Sequence, residues 1–154
     1  MQPEPGIVDL LNDVLTAELT AINQYFVHAK MCDNWGFTRL AEKIREESID
    51  EMKHADKLIE RILLLEGLPN LQDLGRLGIG ENVPEGLKAD LAMERQGRQD
   101  LVAAIAECEG VPDYVSRHIL REILDETEDH IDYLETQLEL IDKVGLQNYL
   151  QSAM

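Results

Sequence analysis

Apolar residues recur every three or four positions along four long stretches of the chain, the pattern of helices that bury one face. We predict these helices at about residues 7–34, 35–65, 83–109 and 113–144. Gly145 is suited to end the fourth helix, because glycine accepts the backbone conformations found after a helix C-terminus. Residues 146–154 are expected to form a short fifth helix.

The stretch from residue 67 to residue 86 lacks this periodicity and is rich in glycine, with Pro69 and Pro84 near its ends. Gly110 and Pro112, in contrast, predict only a tight turn between the third and fourth helices. Two helix pairs, each with a short turn and joined by one long crossover, are typical of an all-α four-helix bundle. We expect a single domain spanning residues 1–154.

The first two helices each carry a second apolar stripe. Their members are Leu15, Leu19, Ile22 and Phe26 in the first helix, and Ile49, Met52, Ile59 and Leu63 in the second. A helix in a monomeric bundle normally needs only one such stripe. We therefore expect the second stripes to face outward into a contact between subunits.

The inward stripes are interrupted by polar residues at repeated spacings. Glu51 follows Glu18 by 33 residues (51 − 18 = 33), and His54 stands three positions further on. In the second half of the chain, Glu94 is followed at the same spacings by Thr127 and His130. The scheme of a Glu followed by Glu-x-x-His therefore occurs twice, with one carboxylate replaced by threonine. Four-helix bundles use this scheme to hold two metal ions.

If the chain were a metal-free scaffold, its apolar core would contain five polar side chains without a partner: Glu18, Glu51, His54, Glu94 and His130. Burying even one unpaired charge costs several kcal/mol, so a metal-free bundle requires the repeat to be accidental. Carboxylate oxygen and imidazole nitrogen are good ligands for iron. The sequence therefore predicts a metal site in the core of the bundle.

Composition narrows the class of protein further. The 154 residues include 31 acidic and 14 basic side chains, a formal net charge of −17, which disfavours nucleic acid or an anionic membrane as a partner and favours cations. Cys32 and Cys108 are expected to be free thiols in a reducing compartment. The N-terminus lacks a signal peptide pattern, and no apolar run is long enough to span a bilayer, so we expect a cytoplasmic protein.

Four segments give the chain a family resemblance. They are LTAINQYF at 19–26, EMKH at 51–54, RILLLEGLPNL at 61–71 and GLQNYLQ at 145–151. Over residues 7–151 the chain resembles bacterioferritin, the haem-containing branch of the ferritins. The resemblance implies a ferritin-like bundle in a shell of twenty-four subunits, which oxidises Fe(II) and stores a ferric mineral. It also implies a di-iron site within each subunit, where oxygen or peroxide is consumed, and haem b at each two-fold interface.

The resemblance also assigns the metal ligands. Glu18 with His54 would bind one iron, Glu94 with His130 the other, and Glu51 would bridge them. The family expects a second bridging glutamate at position 127. Thr127 is neutral and too short to bridge two ions.

The carboxylates adjacent to Thr127 are not obvious replacements. Glu126 and Glu128 are turned about 100° to either side of position 127 on a helix. Glu126 aligns with Ile119 and Tyr133 on the flank of the bundle, although a local shift would bring it closer to the site.

Two further sites follow from the resemblance. The first is an iron position on the inner wall of the shell, where Asp50 is kept and Glu46 replaces the histidine of the family. The second is the haem. Met52 points away from Glu51, and a methionine there is either a gap-filling core residue or, as the resemblance implies, an axial haem ligand. Asn23 is a pocket residue in the family, and Ile49 lies on the same outward stripe as Met52.

Two functions remain open at this point. The first is a bacterioferritin that stores iron and acts as a ferroxidase, assembled as a homo-oligomer. The alternative is a haem-bearing subunit whose ferroxidase centre is impaired by Thr127 and which shares a mixed shell with a second, catalytically complete bacterioferritin subunit. In both cases the haem would pass electrons from a ferredoxin-type reductant to the stored iron.

Overall fold

The computed structural model describes residues 1–154 and confirms an all-helical bundle. The helices are α1 (Ile7–Asn34), α2 (Thr38–Leu64), α3 (Val83–Gly110), α4 (Tyr114–Val144) and the short α5 (Leu146–Ser152). Helix α1 pairs with α2, and α3 pairs with α4, as the two short turns predict. None of the helices has the length and apolar character needed to cross a membrane.

Local sequence sets the helix ends. Trp35 belongs to the turn before α2, which begins at Thr38, because Gly36 adopts a positive φ of 90° that reverses the chain. The Asn82 side chain accepts a hydrogen bond of 3.0 Å from the Glu85 amide and caps α3. Gly145, at a φ of 84°, separates α4 from α5.

The apolar core is divided into two clusters of thirteen buried residues each. The first contains residues near the beginning of α1, including Leu11, together with Leu58 of α2 and Leu120 of α4. The second contains residues from later in α1, including Tyr25, and Leu134 of α4. A layer of polar residues separates the two clusters along every long helix. Both cysteines are buried and free.

The outward stripe of α1 is shorter than the sequence predicts. Leu15 is fully buried in the first core cluster, so its assignment to the outward face was wrong. The physical reason is that Leu15 lies one helical turn from Leu11 and from Glu18, at the edge of the inward face, where neighbouring helices cover it. Phe26, in contrast, is 50% exposed.

Five apolar residues of α1 and α2 form what we call the outward patch: Leu19, Ile22, Phe26, Ile49 and Met52. The Ser48 hydroxyl donates to the Ile22 carbonyl oxygen at 2.9 Å and fixes the two helices against each other. Ile49 and Met52 therefore lie beside the second stripe of α1. Met52 and Ile49 are 45% and 41% exposed, so the outward patch is open to solvent in the single chain.

The crossover between α2 and α3 is anchored to α1 by side chains one helical turn apart. The Gly75 amide donates to Thr20 Oγ1 at 2.8 Å. The Gly78 amide donates to Gln24 Oε1 at 2.9 Å, and the Gly80 amide donates to His28 Nε2 at 3.0 Å. Asp90 of α3 accepts from Gln24 and contacts His28 Nδ1 at 2.8 Å, which ties α3 to the same row. The crossover therefore has a fixed register on the bundle.

Candidate metal centre

Six buried residues from the four long helices form the polar layer between the two core clusters: Glu18, Glu51, His54, Glu94, Thr127 and His130. Each comes from an inward stripe, where the heptad-like spacing of the sequence places it. Two groups of three ligand atoms lie within 4.8 Å of one another, namely Glu18–Glu51–His54 and Glu51–Glu94–His130. The geometry therefore offers two adjacent metal positions that share Glu51.

Glu51 faces both imidazole rings at once. Its Oε2 lies 3.1 Å from His54 Nδ1, and its Oε1 lies 3.2 Å from His130 Nδ1. The other two glutamates each face one ring. Glu18 Oε2 lies 3.2 Å from His54 Nδ1, and Glu94 Oε1 lies 3.2 Å from His130 Nδ1. A carboxylate with one oxygen toward each of two nitrogen ligands is suited to bridge a pair of cations.

The carboxyl of Glu94 has an unusual setting. Tyr25 donates a hydrogen bond of 2.5 Å to Glu94 Oε1, and both side chains are buried. Burial, with the neighbouring charge of Glu51, raises the pKa of Glu94 to about 7 despite the hydrogen bonds from His130 and Tyr25. Sequence reasoning missed this role of Tyr25. The available signal was its position on the inward stripe seven residues after Glu18, because a buried tyrosine hydroxyl needs a partner.

The carboxylates around the two histidines favour the protonated form of each ring in the absence of metal. Burial by itself lowers the pKa of His54, but the hydrogen bond to Glu51 and the charges of Glu51 and Glu126 outweigh it and raise the pKa above its ordinary value. Hydrogen bonds to three glutamates raise the pKa of His130 in the same way. Metal must therefore displace protons from both rings.

We expect Co(II) binding at pH 7 to release about two to three protons per chain, since both imidazolium rings and part of Glu94 must deprotonate. The apparent affinity should rise between about pH 6 and pH 8, because low pH favours the protonated ligands. Calorimetric titration in buffers of different ionisation enthalpy measures the release. His130→Ala should release about one proton fewer. An affinity independent of pH would contradict this expectation.

Each imidazole ring also contacts a carboxylate on the side away from the shared Glu51. His54 Nε2 lies 2.5 Å from Glu126 Oε2, and His130 Nε2 contacts Glu47 Oε2. The sequence had placed Glu126 on the flank of the bundle, and its side chain is half-exposed, but it is long enough to reach His54 around the helix. It belongs to neither of the two groups of ligand atoms that share Glu51.

Thr127 is buried in the polar layer, beside the groove that Glu18, Glu51 and Glu94 also line, but it offers no charge. Its hydroxyl donates a hydrogen bond of 2.9 Å to the Ile123 carbonyl oxygen, one turn earlier in α4. The donor is therefore satisfied within the helix, and nothing in the layer replaces a second bridging carboxylate.

A third group of potential ligands contains Glu47, Asp50 and His130. His130 Nε2 lies 3.4 Å from Asp50 Oδ2, and Glu47 is almost fully buried, although it was not among the predicted ligands. Glu46, which the sequence paired with Asp50, is exposed and lies 3.9 Å from Lys43 instead. The geometry therefore joins Asp50 to Glu47 rather than to Glu46.

A groove of about 830 Å³ between α1 and α3 leads from solvent to the polar layer. Its inner end is formed by Glu18, Glu51, Glu94 and Thr127. Its outer part is lined by Asp13, Asp100 and Glu107, with Arg76 as a basic residue among these acids. The negative lining gives cations a favourable route to the centre.

Comparison with known proteins identifies the family. The model of the ferritin-like domain matches residues 8–144. Bacterioferritin BfrA of Mycobacterium tuberculosis (strain ATCC 25618 / H37Rv) is 53% identical over 149 residues, which cover 97% of this chain and 94% of that protein. The bacterioferritin of Brucella melitensis is 50% identical over 151 residues, or 98% and 94% of the two chains. That of Streptomyces coelicolor is 47% identical over 154 residues, or 100% and 92%.

The chain belongs to the bacterioferritin family. Its function is therefore iron storage, and the buried Glu and His clusters are consistent with the di-iron ferroxidase centre of a bacterioferritin. The fold and family predicted from the sequence are thus confirmed.

Membership of the bacterioferritins also raises the question of haem. The outward patch combines a half-exposed thioether, Met52, with flanking apolar side chains, Ile49 and Phe26. A soft sulfur donor on an apolar surface is chemically suited to haem iron. Asn23 lies on the surface of α1, and its Nδ2 donates to the Leu19 carbonyl oxygen at 2.8 Å. The residues present therefore fit the group that the family name implies.

Proposed function

We propose that this chain binds two Fe(II) ions at the polar layer and oxidises them, and that Thr127 makes the reaction slow in a shell of this chain alone. Fe(II) is the substrate. Two Fe(II) ions supply two electrons, which with two protons convert one O₂ to hydrogen peroxide or one peroxide to two waters. The observation that supports the proposal most directly is Glu51, with one oxygen toward each histidine.

The roles of the individual residues follow from their contacts. Glu18 and His54 serve one ion, Glu94 and His130 the other, and Glu51 spans both. Three carboxylates face the pair of ions, so the ferric product carries more uncompensated positive charge than with a fourth carboxylate at position 127. The oxidised pair is therefore less stabilised, which slows oxidation. Glu47 and Asp50, the latter half-exposed, would receive Fe(III) on its way to the mineral, with exposed Glu46 nearby.

Anaerobic Co(II) titration of the metal-free protein tests the centre. We expect two ions per chain for the parent. Glu51→Gln should weaken both positions by at least about 10-fold, because its amide cannot serve both ions as an anionic bridge. Glu18→Gln is the matched control and should weaken only one position. Binding of fewer than two ions by the parent, or equal effects of the two variants, would contradict the proposed centre.

The second candidate function is that of a haem-bearing subunit in a mixed shell with a complete bacterioferritin subunit. Thr127 beside an intact outward patch favours it, because the polar layer has lost a ligand while the surface around Met52 has not. Coexpression with a complete bacterioferritin tests it. Mixed shells should form and oxidise Fe(II) faster than shells of this chain alone, whereas separate shells would exclude this function.

Met52 from two copies of the chain would hold haem b across a two-fold axis, with Ile49 and Asn23 beside it. Haem bound there would supply a route for electrons from a ferredoxin-type reductant to the stored ferric iron. We propose a shell of twenty-four subunits in the cytoplasm, consistent with the family and with the absence of a membrane-spanning helix.

A further inference from the structure

The surroundings of His54 contain a carboxylate that the family scheme does not assign. Glu126 Oε2 lies 2.5 Å from His54 Nε2, and Glu126 makes no other hydrogen bond or ion pair in the structure. Lys57, a cation close enough to feel the charge of Glu126, is instead paired with Glu122 at 2.9 Å. The contact is therefore a specific pair.

The two nitrogens of this ring have different neighbours. His54 Nδ1 faces Glu18 Oε2 and Glu51 Oε2, the predicted ligands of one metal position. A neutral imidazole carries one proton, so an Nε2–H that donates to Glu126 leaves the Nδ1 lone pair free toward the metal. A carboxylate on the outer nitrogen also makes the ring a stronger electron donor, the usual effect of a carboxylate–histidine–metal arrangement.

The second imidazole has the same arrangement, with a difference in burial. His130 contacts Glu47 through Nε2 and turns Nδ1 toward Glu51 and Glu94. Glu47 is buried, whereas the Glu126 side chain is 51% exposed and comes from the residue adjacent to Thr127 in α4. Both metal positions thus have an outer carboxylate, but only that of His54 lies next to the position where a bridging charge is missing.

We infer that Glu126 is a positioning residue, which holds His54 with Nδ1 toward the metal and supplies, through the ring, part of the negative charge that Thr127 lacks. The inference rests on the proposed metal centre. If Glu126 has this role, the metal position of Glu18 and His54 depends on a half-exposed carboxylate. The position of Glu94 and His130 depends instead on the buried Glu47.

Co(II) titration of the assembled, metal-free protein, followed by calorimetry and by the visible absorption of bound Co(II), tests this inference. Glu126→Gln keeps an acceptor for Nε2–H but removes the charge. It should lower the affinity of one of the two positions by about 10-fold and change its absorption band. Glu126→Asp should restore part of the affinity. Glu128→Gln, which removes the same charge two residues away, should leave both positions unchanged.

Two double variants identify the position affected. In a His54→Ala background, Glu126→Gln should have no further effect on the remaining ion. In a His130→Ala background, it should still weaken binding by about 10-fold. Unchanged affinities in Glu126→Gln, an equal loss at both positions, or an equal loss in Glu128→Gln would overturn the inference while leaving the metal centre intact. A parent protein that binds no Co(II) would overturn both.

Discussion

Thr127→Glu is expected to accelerate the initial oxidation of Fe(II) by at least about 10-fold, a gain comparable to the usual effect of one residue supporting a metal site. The new carboxylate would lie opposite Glu51 between the two metal positions. It would add the charge that stabilises the ferric pair. The longer side chain has space, because Thr127 already borders the groove between α1 and α3. Stopped-flow absorbance of the iron-free shell mixed with Fe(II) and oxygen measures the rate.

The control for this variant is Thr136→Glu, which adds the same charge to an exposed position of α4. It should leave the rate unchanged, because a surface charge nine residues further along the helix is largely screened. If the parent already shows a fast phase equal to that of Thr127→Glu, the impaired centre is refuted. The mixed-shell function would then lose its main support.

Met52→Leu is expected to abolish haem binding, the largest effect of any substitution on the outward patch. Leucine matches methionine in size and apolar character, so the patch and the proposed contact between subunits should persist while the proposed sulfur ligand is lost. The Soret absorbance of protein reconstituted with haem b measures the loss, with gel filtration as the check on assembly.

Met93→Leu is the matched control, since Met93 lies in the groove between α1 and α3 rather than on the outward patch. It should bind as much haem as the parent. Haem retained by Met52→Leu at the parent's occupancy would exclude Met52 as the axial ligand. We also expect Met52→Leu to take up iron normally but release it slowly on reduction, because the proposed di-iron centre is on the opposite side of α2.

Much of the fold follows from periodicity. A long amphipathic helix has few alternatives once its apolar stripe, its glycine ends and its short turns are identified, so the four long helices and the crossover were predictable. The same regularity placed Glu18, Glu51, His54, Glu94 and His130 in one layer, since residues 33 positions apart on antiparallel neighbours meet at the same height.

The unpredicted features depend on side-chain reach rather than helical position. A helical diagram gives the direction of Cβ, but a glutamate extends several ångströms further, which is how Glu126 reaches His54 from the flank. Glu47 rather than Glu46 lies with Asp50 beside His130 for a different reason, since Glu47 is on the buried face of α2 and Glu46 is exposed. The hydrogen bonds from crossover glycine amides to Thr20, Gln24 and His28 could not be predicted either. An irregular crossover has no periodicity from which its register on the bundle can be inferred.

The separation of the polar layer from the two core clusters has an evolutionary consequence. The apolar contacts that maintain the bundle lie on either side of the layer, so a neutral residue whose polar group is satisfied can stand inside the layer with little effect on folding. Thr127 is such a residue, since its hydroxyl is satisfied by its own helix. A duplicated gene for such a chain is free to lose one activity while its product still assembles. Division of labour between sister subunits is therefore readily accessible to this architecture.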